Sequence, residues 1–199
     1  MAYLHPMTIE AERPVCTPLT LRPGEVLRQL TALRLGPANR QMVEYWLSLS
    51  QDGALPRRDA FDPADASELL RGCGLFDVSP GKSVHCRIAG TVLRLLFGPN
   101  VVGQDWLALA PQRHRAQRLA RYSAVAQGAI GVARRIVVAE AQDPIRVEEV
   151  LLPFADVVPG GVRRVLVHTD WRPVGEQWFG VDATYAKMLA DDFFLVELD

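Results

Sequence analysis

Two acid–histidine pairings are the first residues in this sequence that could do chemistry. If the turn Ser79-Pro80-Gly81-Lys82-Ser83 centres on Gly81, facing residues carry numbers summing to about 162, and Asp77 lies opposite His85. Further on, matching Val150, Leu152 and Phe154 with Val165, Val167 and Thr169 places Glu149 near His168. A carboxylate beside an imidazole is the pairing that general-base catalysis uses. The plainer reading makes both of them cross-strand contacts on an outer sheet face, beneath an N-terminal helix.

Other reactive residue types form no motif. In the same register Cys86 faces Phe76, leaving Cys73 three positions out, too far for a disulfide without distortion. Both are expected as small buried thiols. His5, His85, His114 and His168 have no i,i+4 spacing and no nearby cysteine or carboxylate set that resembles a zinc motif, so no metal site is expected. There is no G-x-S-x-G elbow, P-loop or dinucleotide fingerprint, and Gly160-Gly161 falls in a strand–strand turn rather than before a helix. No cofactor is implied.

The arginines offer an anchor rather than a nucleophile. Arg113, Arg115, Arg118 and Arg121 spread over half a helix circumference, which reads as a solvated face. Arg115 alone falls near Leu119, Tyr122 and Ala126, where it could reach an anionic ligand. Arg134 and Arg135 are adjacent in a strand, so one of them turns inward. Arg134 is taken as the polar anchor, although strand parity alone does not choose between them. A buried guanidinium there requires an acidic partner or an anionic ligand.

These residues must be positioned by short elements. Pro6, Pro14, Pro18 and Pro23 break up the first 36 residues. Val26 to Leu35 suits a short helix or an edge element. Pro37 to Gln51 carries Met42, Val43, Trp46, Leu47 and Leu49 at helical spacing. A linker from Leu55 to Pro63 leads into a helical turn over 64–71. Strands are predicted at 72–78 and 84–90, helices at 91–97 and 111–127, and a short one at best at 105–109. Further strands are predicted at 132–139, 146–154 and 162–171. The tail holds a helix around 182–190 and an apolar Phe193 to Val196. Strands, then helices, then strands is α+β organisation with an antiparallel sheet.

Leu55-Pro56-Arg57-Arg58-Asp59-Ala60-Phe61-Asp62-Pro63, then Phe76-Asp77-Val78, then Arg87-Ile88-Ala89-Gly90-Thr91 followed by Phe97-Gly98, resembles a PAS-like family of bacterial domains first catalogued as a domain of unknown function. The chain departs from it at Pro99-Asn100, where members often carry Arg-Asp, and in its long apolar tail. The resemblance divides the chain into an N-terminal extension (1–37), the domain (38–173) and a C-terminal extension (174–199). It implies a five-stranded sheet whose first strand is central beside the last, with helices packed on one face between the second and third strands. It also implies a cradle between that face and those helices, which Cys86, Ile88, Trp106, Tyr122, Leu152 and Val167 would line and Arg134 would anchor.

Composition limits the function classes. The 199 residues are 49% hydrophobic with a net charge of −1, so the basic field of a nucleic-acid binder is missing. No run suits a membrane span or a signal peptide, and three cysteines are too few for a disulfide scaffold, which points to a reducing cytoplasm. Of 22 basic residues only Lys82 and Lys187 are lysines, a bias that reads as genomic base composition. The expected function is a non-catalytic sensory or interaction module that binds a small ligand or a partner protein in signalling. Two alternatives stand. One is a small enzyme with a carboxylate–histidine pair in its cavity, favoured if Asp77 or Glu149 lies inside the cradle. The other is a scaffold whose pocket is filled by its own side chains. A homodimer is expected, since Met42, Val43, Trp46 and Leu47 offer more apolar surface than one sheet edge needs and the tail offers Phe193 to Val196; the alternative is that both cover their own sheet.

Overall fold

Proline at the first helical positions and a run of apolar residues at helical spacing start two consecutive helices, α1 (Pro23–Ala32) and α2 (Pro37–Ser48). The computed structural model describes residues 22–138, 145–173, 187–196 and 198. The anticipated N-terminal extension up to residue 21, the Asp143-Pro144 turn and the first part of the tail lie outside the described residues. After α2 come β1 (Cys73–Ser79), β2 (Ser83–Ala89), α3 (Thr91–Phe97) and α4 (Gln112–Ala126). Then follow β3 (Ile130–Val138), β4 (Ile145–Val158), β5 (Val162–Pro173) and β6 (Lys187–Val196).

All six strands form one antiparallel sheet in the order β2-β1-β5-β4-β3-β6. The first strand lies next to the fifth, as expected. The sixth strand was not expected: Lys187 to Ala190 begin a strand rather than continue a helix, and Phe193 to Val196 pair with Ile130 to Ala133.

Helices α3 and α4, between the second and third strands, pack on what we call the inner face, with Phe76, Val78, Val84, Cys86, Trp106, Tyr122, Val125 and Val167 in one cluster. On the outer face lie α1 and α2, whose Val26, Leu30, Met42, Val43 and Trp46 meet Val132, Val150, Leu152 and Leu166. Met42, Val43, Trp46 and Leu47 are thus buried within their own chain, covering its own sheet. Buried Trp46 donates its Nε1 proton to the Pro153 carbonyl at 3.1 Å.

Two of the quoted segments make close packing contacts. The 55–63 segment straps α2 to β4: the Arg58 amide donates to Asp156, Ala155 donates to the Pro56 carbonyl, and the Phe61 ring sits 5.4 Å from Tyr45 and 6.3 Å from Phe154. Gly90 passes so close to the preceding turn that an added Cβ would stand 2.3 Å from the Leu70 carbonyl oxygen.

The first hairpin keeps the expected register from Ser79–Ser83 to Phe76–Cys86, then slips, so that Leu75 faces Ile88. The extra residue is a β-bulge at Arg87, which reverses the alternation. Ile88 consequently leaves the inner face and is 51% exposed. Phe76→Ala should therefore cost about 3–5 kcal/mol in urea unfolding, the usual range for a buried aromatic. Ile88→Ser should stay within about 0.5 kcal/mol of the parent, as exposed positions do.

Candidate functional site

The arginine and glutamate doublets on neighbouring strands divide between the two faces. Antiparallel pairing sets Arg134 opposite Glu148, and alternation sends Arg135 and Glu149 the other way.

Beneath α1 and α2, on the outer face, Glu148 is the acceptor for three donors. The Gly36 amide reaches Oε1 at 2.7 Å, Asn39 Nδ2 reaches it at 3.0 Å, and Arg134 Nε donates to Oε2 at 2.9 Å. Arg134 also donates to the carbonyl oxygens of Leu33 and Arg34, at 3.3 Å in the second case. The glutamate thus sits at the amino end of α2, where the helix dipole and a free amide favour an anion. Arg134 clamps the turn between the helices. It is not the anchor of an inner cradle, because its parity puts it on the opposite face.

Next to this cluster lies His168, 3% exposed, with Nδ1 2.6 Å from Asn39 Oδ1. Asn39 spends its amide hydrogens on Glu148, so Oδ1 accepts and His168 Nδ1 carries the proton. Burial pulls the His168 pKa down from 6.5 to about 4, against the opposing pull of Asp170 and of the Leu69 carbonyl.

On the inner face Glu149, 3% exposed, accepts from Arg135 Nη1 and from the Thr169 hydroxyl at 3.4 Å. Arg135, not Arg134, is therefore the inward guanidinium, and an acidic partner from its own chain is beside it. Tyr122 is close enough that burial, and secondarily the Glu149 charge, push its pKa up.

Around this pair the cradle is packed with rings. Phe76 lies 4.8 Å from Trp106 and 5.4 Å from Tyr122, and Phe97 lies 4.5 Å from Trp106. Arg118 stacks over Trp106 at 5.2 Å and donates to its carbonyl at 2.9 Å. Buried Arg121 lies 4.7 Å above the Phe193 ring, so α4 is not solvated all round. Arg115 bonds the Ala110 and Ala108 carbonyls.

Of the residues expected to line a cavity, Cys86, Trp106, Tyr122 and Val167 share this inner cluster. Ile88, Leu152 and Arg134 do not. Leu152 packs under α2 because β4 and β5 pair one residue away from the expected match: Val150 faces His168, and Glu149 faces Thr169. Glu149 does lie inside the cradle, the position set out as favouring an enzyme, but His168 is on the other face, so that pair does not form. Asp77 does pair with His85 in the register, yet its carboxylate goes to Arg87 Nε at 2.6 Å and faces Arg164 Nε at 3.8 Å.

Burial raises the pKa of the Cys73 thiol to about 12 and that of Cys86 to about 11, so neither of these two is a thiolate nucleophile at neutral pH. Among the described residues no group of three or more His, Cys, Asp or Glu could hold a metal, and no helix is long and apolar enough to cross a membrane. The sequence reading missed Glu148 and Asn39. The signal for Glu148 was present: an Arg-Arg doublet facing a Glu-Glu doublet on the next strand supplies one ion pair to each face.

The strand order β2-β1-β5-β4-β3, with helices inserted after the second strand, defines a PAS-type sheet and cradle. Residues 35–166 match the family model described as PAS domain, and the chain belongs to that family. PAS domains are sensory and interaction modules as a class. Among curated proteins and among solved structures no match was found.

Two outcomes follow from the outer cluster. Glu148→Ala leaves Arg134 without its ion-pair partner and should cost about 3 kcal/mol, read as a lower urea midpoint. His168 stays neutral in the folded chain and gains a proton on unfolding below pH 6.5. Stability is therefore full above 6.5 and falls between 6.5 and about 4, by up to about 3 kcal/mol. Thermal unfolding across that window should show the slope in the parent and lose most of it in His168→Gln.

Proposed function

We propose that this chain is a non-catalytic PAS interaction module that passes its signal to a partner protein through surface contacts rather than by holding a small ligand in its cradle. One observation carries this reading: the space where a ligand would sit between the inner face and α3–α4 is filled by Phe76, Phe97, Trp106 and Tyr122 of the chain itself. The buried acid is likewise bonded to Arg135 and Thr169. A reducing, cytoplasmic setting suits the two buried thiols.

The inward position of Glu149 keeps a second reading in view, a small enzyme using that carboxylate. Native mass spectrometry of protein purified from its own host should show the bare chain mass. Panels of hydrolase and isomerase substrates should show no turnover. A retained small molecule that is lost in Tyr122→Leu would restore the ligand-sensing reading. Turnover that disappears in Glu149→Gln would establish the enzyme.

A further inference from the structure

The outer helices leave a hollow beside the turn between them. Leu27 and Leu30 of α1, Leu35 of the turn and Val43 of α2 line a recess of about 60 Å³, with Arg34 and Arg40 beside it. That volume takes a single aliphatic side chain and is too short for a fatty acyl chain. Arg134 bonds the carbonyls of Leu33 and Arg34, and Glu148 holds the Gly36 amide, so the turn that shapes the recess is tied to β3 and β4.

The rim is positive. Residues 22–48 contain four arginines and two glutamates. Arg34 is exposed, and its guanidinium makes no ion pair among the described residues. Arg40 shares Glu44 at 2.8 Å in an exposed i,i+4 pair, the kind that exchanges readily for a better acceptor. Arg34 also has φ 51°, a left-handed conformation that favours glycine.

We propose that the α1–α2 recess docks an acidic amphipathic helix of a partner protein, with one apolar side chain in the hollow and flanking carboxylates on Arg34 and Arg40. This rests on the interaction-module reading and names the surface and the chemistry of the partner.

The probe is a synthetic helical peptide of about 18 residues, five turns, with leucine along one face and glutamate flanking it. Its counterpart carries lysine at every glutamate position, and laurate serves as a lipid anion. Amide NMR of the full chain should show shifts confined to residues 26–48 with the acidic peptide, and none with the lysine peptide or laurate. Arg34→Gly should weaken the peptide about tenfold while raising the thermal midpoint, because glycine relieves the backbone. Thr31→Trp, beside the hollow, should block the peptide without loss of fold.

Equal binding of both peptides, unchanged affinity in Arg34→Gly, shifts on another face, or no binding at all would overturn the proposal. Laurate shifts at these amides without peptide binding would assign the recess to a lipid anion instead. None of these results bears on catalysis, whereas turnover dependent on Glu149 would remove the interaction-module reading itself.

Discussion

Glu148 accepts hydrogen bonds from three donors: the amide of Gly36 before α2, the side chain of Asn39 within it, and the guanidinium of Arg134 on β3. A carboxylate taken this far out of water is stable only while those donors stay in place. They in turn hold the two N-terminal helices against the outer face. Once α1 and α2 are seated, the central strands have apolar cover on both sides, and the rest of the structure follows from that cover.

Burial on both faces explains the composition of β4. Val150, Leu151, Leu152, Pro153 and Phe154 form an unbroken apolar run, where a strand with one wet face would alternate. Leu152 and Phe154 serve the outer cluster, and Leu151 serves the inner one. The same constraint requires each buried charge on these strands to be paired. Arg134 with Glu148 serves one face and Arg135 with Glu149 the other, so the paired doublets balance the sheet electrostatically.

On the inner face the cradle is lined by a core of packed rings. Its aromatic rings touch edge to face or tilted, an arrangement that adds dispersion and quadrupole attraction to the burial of their area. The inner side is packed by these rings, and the outer side is roofed by α1 and α2, whose backs face away from the sheet. There the recess between α1 and α2 combines an apolar floor with a cationic rim.

Much of the fold was legible in the sequence. The strands β1 to β5, the helices α2, α3 and α4, and the position of β1 beside β5 could be read because each depends on local signals: proline and glycine punctuation, apolar period and motif order. The hairpin register was readable up to Cys86, where turn geometry sets it. Beyond that, three features belonged to the tertiary structure. The bulge at Arg87 that turns Ile88 outward leaves no mark in composition. The pairing of β4 with β5 could not be chosen by matching apolar sides, because Leu151 and Leu152 are both apolar and both buried. For the same reason parity could not tell Arg134 from Arg135, or keep Glu149 and His168 apart. Which face a residue occupies depends on what lies above and below the sheet, and that is decided by chain segments more than a hundred residues away, such as Asn39 against His168.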